Sequence, residues 1–280
     1  MKPSLSVLMS VYNNEKPEFL AQSLDSLKLQ TYQAEEIVIV EDGPLGRSLS
    51  DVIIRYALEL PIVSVKLPNN VGLGAALARG ICACHGDLIA RADSDDICLP
   101  DRFKKQMDWL SAHPDIDLLG GAYAEFDSNS FGPRLVRRVP KSGKELMNYA
   151  KTRTPFNHTT VIFRKSAVLG IGNYESAIGF EDYLLGARML MGGYTLYNLE
   201  DVLVYVRAGR GFTERRGGLS YVQKEMAFQL CLREIGFITT FECARNILLR
   251  TPVRLIPNSL RRFIYRRFLR STPGRFAEVG

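Results

Sequence analysis

Short apolar runs alternate with amphipathic segments in the first part of the chain, and this alternation restricts the fold more than any other feature. Strands are predicted for the apolar runs at 5–10, 36–40, 62–67 and 88–90. One helix is predicted to begin at Pro17, and others are predicted over 49–58, 73–82 and 100–113. Strands and helices in this order form a mostly parallel sheet covered on both faces. The sequence therefore predicts an α/β fold.

Polar or glycine-rich residues follow each of these predicted strands. Ligands of such sheets bind outside the carboxyl ends of the strands, so these loops are expected to face one crevice. A ring can stack on Tyr12, and a base or ribose can donate a hydrogen bond to Glu41 or Asp42. Gly72 and Gly74 open a helix whose N–H groups favour phosphate, although without a GxGxxG pattern they also suit a tight turn. The candidate ligand-binding residues are Ser10, Tyr12, Asn13, Glu41, Asp42, Asn70 and Gly72.

Three carboxylates follow the fourth predicted strand. Asp93, Asp95 and Asp96 repel one another, so the cluster costs stability unless a cation lies beside it. Crowded oxygen ligands suit a hard divalent cation such as Mg²⁺ or Mn²⁺, which would in turn hold the phosphates of a nucleotide. A solvated acidic turn is the alternative interpretation.

The second half of the chain offers candidates for a second substrate. His158 lies in a polar segment ahead of a strand predicted at 161–164, where a structural histidine is the alternative. Glu181 and Asp182 begin a predicted amphipathic helix. They either complement the helix dipole or aim one carboxylate into the crevice as a general base, and spacing does not choose between these roles.

Two further patterns lie in this half. Residues 209–218 are basic and glycine-rich; such a loop either folds over a substrate and brings Arg215 to a diphosphate or only connects to the next helix. Ser142 and Glu145 match a capping box and predict a helix towards Lys151. Strands are also predicted over 116–124 and 134–139.

Basic residues are concentrated at the C-terminus. Residues 243–280 contain nine Arg and one acid, Glu278, whereas the rest of the chain is close to neutral. In a helix over 258–270, apolar side chains would share one face and most Arg the other. Nucleic acid or an anionic membrane surface could bind such a tail, and the lack of a nucleic-acid-binding module favours the membrane. A helix packed on the body of the protein is the alternative.

Composition and cysteine usage indicate a cytoplasmic globular protein. The chain has 280 residues, 46% of them hydrophobic, which is enough for a large core. Its five cysteines are an odd number without a CxxC pair, which is typical of reduced thiols. Neither a signal-peptide pattern nor an apolar run of about 18 residues is found. With the basic tail, we expect a peripheral position on the inner face of the cytoplasmic membrane.

Five motifs in a fixed order resemble glycosyltransferase family 2, whose fold is GT-A, a mostly parallel Rossmann-like sheet flanked by helices. The motifs are Ser-Val-Leu-Met-Ser-Val-Tyr-Asn, Ile-Val-Ile-Val-Glu-Asp-Gly, Asn-Val-Gly-Leu-Gly, Ala-Asp-Ser-Asp-Asp and Phe-Glu-Asp. They cover roughly residues 3–215, and the ordered set is far more specific than any one motif. The chain is most similar to bacterial members that build exopolysaccharide or lipopolysaccharide repeat units.

The resemblance implies roles for the residues at the crevice. Tyr12, Glu41 and Asp42 would contact the nucleoside of a sugar donor. Asp93 and Asp95 would form the DxD motif, with Asp95 the more direct ligand of Mn²⁺ or Mg²⁺ and Asp93 towards the ribose. The pair Glu41-Asp42 departs from the commoner Asp-Asp, so which carboxylate meets the base stays open.

The resemblance also implies an inverting transfer from a nucleotide-diphosphate sugar, with a UDP-sugar favoured, to a hydroxyl of a lipid-linked or other glycan acceptor. By the resemblance, Asp182 would be the catalytic base. From the sequence itself, we expect Glu181 and His158 to bind the acceptor and Arg215 to bind the donor. We expect a catalytic domain over 1–217, with a nucleotide-binding half to about 100 and an acceptor half beyond it. Residues 218–280 would form a helical region that ends in the basic tail.

Two other functions remain alternatives. A sugar-phosphate nucleotidyltransferase also uses an α/β fold and metal-binding carboxylates, but it would carry a GxGxRL-like loop after the first strand, where this chain has Ser-Val-Tyr-Asn-Asn. A non-catalytic membrane-surface binding protein would keep the fold without the chemistry. The joint presence of Asp93, Asp95 and Asp182 argues against it.

Overall fold

The computed structural model describes residues 3–127, 130–175, 179–207 and 218–255. Its strands are β1 (Leu5–Val11), β2 (Glu36–Glu41), β3 (Ile62–Lys66), β4 (Leu88–Asp93), β5 (Ile97–Cys98), β6 (Leu118–Asp127), β7 (Ser130–Arg137), β8 (Ile162–Arg164) and β9 (Leu196–Arg207). Its helices are α1 (Pro17–Lys28), α2 (Arg47–Tyr56), α3 (Leu73–Ala83), α4 (Arg102–Ala112), α5 (Gly143–Ala150), α6 (Lys165–Gly170), α7 (Glu181–Met191), α8 (Leu219–Glu234) and α9 (Thr240–Leu255). A 3₁₀ turn, His158–Thr160, precedes β8. Across these ranges the strands form one nine-stranded sheet.

The first half of the sheet is parallel, as the sequence predicts. The strands lie in the order β3-β2-β1-β4, and each neighbouring pair is parallel. Ser10 pairs with Asp93 and Val11 pairs with Glu41. Strands β1, β2 and β4 therefore end at the same level, and the polar loops that follow them share one edge.

The second half of the sheet is mixed. Strand β8 is antiparallel to β4 and to β6, whereas β9 is parallel to β6 and antiparallel to the short β5. Ile97 of β5 pairs with Tyr205 of β9. This pairing brings the end of β9 close to the acidic turn between β4 and β5.

Local structure differs from the sequence predictions at several places. Strand β4 extends to Asp93, so the acidic turn begins inside the sheet. Strand β7 begins earlier than predicted because it forms a hairpin with β6. Helix α5 begins where predicted, but the side chain of Ser142 makes no cap hydrogen bond with it, so the predicted capping box is wrong. Elements β5, α6 and β9 are not predicted from the sequence.

Helices cover both faces of the sheet and bury two apolar cores. Leu5, Val7 and Met9 of β1 point to the face covered by α1, α2 and α4. Leu8 points to the other face, covered by α3, α6 and α7. All four side chains are fully buried. Burial on both faces explains why the strands read as nearly continuous apolar runs.

A third core joins α8 and α9 to α7. Tyr183 and Leu184 of α7 belong to it together with Phe228 of α8 and Phe237 of the α8–α9 connection. Phe180, just before α7, stacks on Phe228 with ring centroids 4.6 Å apart. The first turn of α7 is therefore held against the C-terminal helices.

Removal of the charge of Glu36 is expected to destabilise the fold most strongly near neutral pH. Its carboxylate accepts hydrogen bonds from the Ser6 hydroxyl at 2.6 Å and from the backbone N–H of His85. Burial alone would raise the pKa of Glu36, but these hydrogen bonds outweigh burial and lower it from 4.5 to about 2. The resulting stabilisation is fully present above the unfolded pKa and is lost as the pH falls towards 2.

Urea unfolding should show Glu36→Gln to be less stable by about 2–3 kcal/mol at pH 7. The difference should shrink at pH 4 and below, where the unfolded chain begins to bind the proton. Glu59→Gln is the control, because the exposed pair of Glu59 with Lys28 contributes little. An equal loss at both pH values would rule out an ionic origin of the effect.

Candidate active site

The protein itself neutralises part of the acidic turn after β4. Arg91 lies two residues before Asp93 on the same face of β4; it is 2% exposed and forms an ion pair with Asp93. The buried carboxylate of Asp96 accepts hydrogen bonds from the Thr159 hydroxyl and from the backbone N–H of Arg207, both at 2.9 Å. Asp96 therefore ties the turn to the second half of the chain.

Asp95 lies where its surroundings oppose its negative charge. Burial, followed by the charges of Asp93 and Glu15, raises the pKa of Asp95 to about 6. The Nε of Arg207 donates a hydrogen bond to the backbone carbonyl of Asp95 at 3.0 Å, and its guanidinium lies 3.9 Å from the centroid of the Phe19 ring. An added cation would favour the ionised form of Asp95.

The oxygen donors of this turn fit a hard divalent cation. Asp93 and Asp95 offer carboxylate oxygens, the ligands that Mg²⁺ and Mn²⁺ prefer in proteins. Within the described ranges, no three His, Cys, Asp or Glu side chains are grouped so as to hold a metal ion. Two carboxylates do not fill the coordination shell of such a cation, which would take its other ligands from bound phosphate or water.

The loop after β3 is organised by Asp42, which is buried. Its carboxylate accepts hydrogen bonds from the backbone N–H groups of Val71 at 2.7 Å and Gly72 at 3.1 Å, and its backbone carbonyl accepts one from the side-chain amide of Asn70 at 3.2 Å. Gly43, at φ +87°, packs so closely that an added Cβ would lie 2.7 Å from the backbone nitrogen of Asn70. Asp42 therefore shapes the loop that carries Asn70 and Gly72. Direct contact of these residues with a nucleotide stays a prediction.

The remaining candidates for nucleoside binding differ in accessibility. Tyr12 is 40% exposed, so its ring is available for stacking. Glu41 is buried and accepts a hydrogen bond from the Ser64 hydroxyl. The side-chain oxygen of Asn13 accepts a hydrogen bond from the backbone N–H of Gly46 at 2.7 Å. Glu41 and Asn13 thus hold neighbouring segments in place, and their contact with a ligand stays a prediction.

The N-terminus of α7 lies beside the strand-end loops. An added Cβ at Gly74, in the first turn of α3, would lie 2.5 Å from the Cγ of Glu181. Asp182 follows in the first turn of α7 and is partly buried. The loop that begins α3 and the pair Glu181-Asp182 therefore meet, although about a hundred residues separate them.

Tyr174 and His158 contact each other in the second half of the chain. The Nε2 of His158 lies 2.7 Å from the Tyr174 hydroxyl. Burial raises the pKa of Tyr174; of the nearby charges, Arg91 opposes this rise, whereas Asp182 and Asp93 add to it. Both carboxylates are therefore near enough to this hydroxyl to affect its ionisation. Burial and then Arg91 lower the pKa of His158 well below its ordinary value, so the ring is neutral. Its contact with an acceptor stays a prediction.

Three charged residues of this region are not predicted from the sequence. The period of two in a strand is a signal that could have paired Arg91 with Asp93. Glu15 lies in the loop after β1, which was already expected at the crevice. Arg207 carries no local signal, because only the pairing of β5 with β9 brings it to the turn. Arg215, a predicted donor-binding residue, lies outside the described residues.

Comparisons with known sequences agree on one family. The family described as Glycosyl transferase family 2 matches residues 6–170. The amylovoran biosynthesis glycosyltransferase AmsE of Erwinia amylovora is 43% identical over 263 residues, which are 93% of this chain and 97% of that protein. The UDP-Gal:alpha-D-GlcNAc-diphosphoundecaprenol beta-1,3-galactosyltransferase of Escherichia coli is 35% identical over 268 residues, 96% of this chain and 97% of that protein.

Solved structures share the fold at lower sequence identity. The mannosyltransferase PcManGT from Pyrobaculum calidifontis, in complex with GDP-Man and Mn²⁺, has a TM-score of 0.66 at 17% identity, covering 95% of this chain and 76% of that chain. Residues 1–349 of S. aureus TarS, in complex with UDP-GlcNAc, have a TM-score of 0.64 at 20% identity, covering 90% and 72%. The chain has the GT-A fold and belongs to glycosyltransferase family 2.

Proposed function

We propose that the protein is an inverting glycosyltransferase of bacterial cell-surface polysaccharide biosynthesis. It moves a sugar from a nucleotide-diphosphate sugar, with UDP-sugars favoured, to a hydroxyl of a lipid-linked glycan. The name of the E. amylovora relative supports the polysaccharide setting. The name of the E. coli relative supports a UDP-sugar donor and an acceptor carried on diphosphoundecaprenol.

The observation that carries this proposal is the packing of the first turn of α7, with Glu181 and Asp182, against the start of α3, beside the strand-end loops. The turn supplies Asp93 and Asp95 at the edge where ligands of parallel sheets bind. Asp182 comes from the other half of the chain, and its neighbour Glu181 packs against Gly74 at the start of α3. A single displacement needs a donor site and a base on either side of one reacting carbon, and it needs no protein nucleophile.

In the proposed reaction, Asp182 takes the proton of the acceptor hydroxyl while that oxygen attacks the anomeric carbon from the face opposite the leaving nucleoside diphosphate. Asp95, with Asp93 beside it, holds Mg²⁺ or Mn²⁺. A bound cation supplies positive charge that offsets the charge of the diphosphate. The Mn²⁺ in the complex of the structurally similar mannosyltransferase supports this cofactor.

The other candidate residues divide between the two substrates. On the donor side, Tyr12 stacks on the base, and Gly72 offers a backbone N–H near the phosphates. Arg215 adds positive charge at the diphosphate. On the acceptor side, Glu181 and His158 bind the acceptor near the catalytic base, Asp182. The remaining donor-side candidates are Ser10, Asn13, Glu41, Asp42 and Asn70.

The domain boundaries and the location in the cell belong to the same proposal. Residues 1–217 form the catalytic domain, and 218–280 form a helical region, which is supported by α8 and α9. The arginine-rich tail beyond α9 lies outside the described residues, and we propose that it binds the anionic inner face of the cytoplasmic membrane rather than nucleic acid. No helix in the described part of the chain is long and apolar enough to cross a membrane.

Donor hydrolysis tests the proposed reaction. The purified protein is incubated with Mn²⁺ and a panel of UDP-, GDP- and dTDP-sugars, and the release of nucleoside diphosphate is measured. We expect release from one UDP-sugar to exceed release from GDP- and dTDP-sugars by roughly tenfold or more, and chelation with EDTA to stop it. Conversion of a UDP-sugar and added pyrophosphate to UTP and sugar 1-phosphate, without release of UDP, would support a nucleotidyltransferase instead.

A further inference from the structure

Helix α9 exposes large apolar side chains on its outer side. Phe241, Leu248 and Leu249 are 77%, 73% and 65% exposed. Phe241, Ala244, Leu248 and Pro252 are all exposed and follow the spacing i, i+3, i+7 and i+11, so they form one stripe along the helix. A surface helix of a globular protein normally carries polar side chains on this side.

The inward side of α9 carries apolar side chains of the third core, Cys243 and Ile247, together with polar side chains that are hydrogen-bonded. The side-chain amide of Asn246 donates hydrogen bonds to the backbone carbonyl of Lys151 at 2.8 Å and to the Oε1 of Gln229 at 2.9 Å. Arg250 forms an ion pair with the buried Glu225 of α8. Rotation of α9 to bury its apolar stripe would break these bonds in a buried setting. The outward orientation of the stripe is therefore fixed by the inward contacts.

Arginine is abundant in the chain that follows this stripe. Residues 256–280 contain six Arg, no Lys and one acid. Apolar side chains next to dense positive charge are typical of segments that lie on an anionic bilayer, where the apolar groups enter the headgroup boundary and the Arg side chains meet lipid phosphates. A nucleic acid would use the charge but not the apolar stripe. The combination favours a lipid surface.

The position of α9 relates this surface to the acceptor side of the crevice. Helices α7, α8 and α9 share the third core, in which Tyr183 and Leu184 follow Asp182 directly. The helix that carries Asp182 is thus packed on the C-terminal pair of helices. A membrane contact through α9 would hold the acceptor side of the enzyme near the lipid surface.

We propose that Phe241, Leu248 and Leu249 of α9 insert into the headgroup boundary of an anionic bilayer. This membrane-docking face deepens the proposed function, because it presents the acceptor side to lipid-linked substrate. Docking itself needs neither the sugar donor nor the acceptor. Vesicles without glycan therefore test the face separately from the transfer reaction.

Vesicle flotation of the full-length protein tests the proposal. Vesicles of phosphatidylglycerol with phosphatidylcholine are compared with vesicles of phosphatidylcholine alone, at physiological and at high salt. The double variant Phe241→Ser/Leu248→Ser should bind the anionic vesicles roughly tenfold or more weakly than the unchanged protein. Leu58→Ser is the matched control, since Leu58 is 85% exposed near α2, and its binding should be unchanged. High salt screens the charges but not the apolar contact. The unchanged protein should therefore keep some binding at high salt, whereas the double variant should keep none.

Three results would overturn the proposal. The first is equal vesicle binding by the double variant and the unchanged protein. The second is light scattering, without lipid, that shows a dimer for the unchanged protein and a monomer for the double variant. A second copy of the chain would then cover the face. The third is a clearly lower melting temperature of the double variant than of the unchanged protein without lipid. The apolar side chains would then stabilise the fold by packing against the chain's own tail. Donor hydrolysis in solution should be equal in both proteins, which separates a failure of docking from a failure of the proposed reaction.

Discussion

Asp182→Asn is expected to lower sugar transfer by about 10²- to 10⁴-fold, the usual contribution of a general base. Asparagine has the same shape as aspartate but does not take up the proton of the acceptor hydroxyl. The acidic turn and the loops after β1, β2 and β3 are unchanged in this variant. The affinity for the nucleotide sugar should therefore stay within a few-fold of the original value.

Transfer to acceptor and donor binding are measured on the same preparations, the first by product formation and the second by calorimetry. Glu181→Gln is the matched control, because Glu181 lies in the same first turn of α7. Both variants lose a charge that complements the helix dipole, so both should lose a similar, small amount of stability. Asp182→Asn should lose nearly all transfer, whereas Glu181→Gln, proposed only to bind the acceptor, should weaken acceptor binding and keep most of the maximal rate. Turnover near the original rate in Asp182→Asn would remove Asp182 from the role of base.

Asp95→Asn is expected to stabilise the metal-free protein while abolishing metal-dependent donor binding. Burial and the charges of Asp93 and Glu15 raise the pKa of Asp95 from 3.8 to about 6. The folded protein holds the proton of Asp95 more tightly than the unfolded chain does. This stabilises the fold below the unfolded pKa, and the contribution is lost as the pH rises through about 6. At pH 7.5 the ionised carboxylate therefore costs about 1–3 kcal/mol, and asparagine removes that cost.

Thermal unfolding in EDTA should place the melting temperature of Asp95→Asn about 2–10 °C higher at pH 7.5, with little difference near pH 4. Asp108→Asn is the control, because Asp108 forms only an exposed pair with Lys104. Calorimetry with UDP and Mn²⁺ gives the second measurement. A lower melting temperature at pH 7.5 would contradict the unfavourable ionisation of Asp95, and normal UDP affinity with Mn²⁺ would contradict its role at the metal.

The parallel half of the fold could be predicted from local pattern. Strands β1 to β4 are buried on both faces, so their apolar runs stand out from the amphipathic helices between them. Strand β9 has a different pattern: buried residues alternate with partly buried ones near both of its ends, and two adjacent exposed residues, Glu200 and Asp201, interrupt the alternation. Its place is decided by pairing with β6 and β5, which are distant in sequence. The mixed half was missed for this reason.

The candidate site was predicted in the same uneven way. The carboxylates of the acidic turn and the pair Glu181-Asp182 could be identified because each follows a strand end or begins a helix. The groups that balance their charges could not be identified from the sequence. Arg91 and Arg207, two cations of the protein itself, offset part of the negative charge of the acidic cluster. The raised pKa of Asp95 indicates that this internal compensation is incomplete.

The sequence by itself determined which chemical groups stand at the ends of the strands, because hydrophobic period and turn residues act over a few neighbouring positions. It also determined the family, through motifs whose order spans the catalytic region. Only the tertiary structure decided which of those groups meet. The contact of Gly74 with Glu181, the bonds of Asp96 to Thr159 and Arg207, and the outward apolar stripe of α9 all depend on packing between distant segments. Such packing is set by sheet pairing and shared cores, which leave no signal in the residues next to each group.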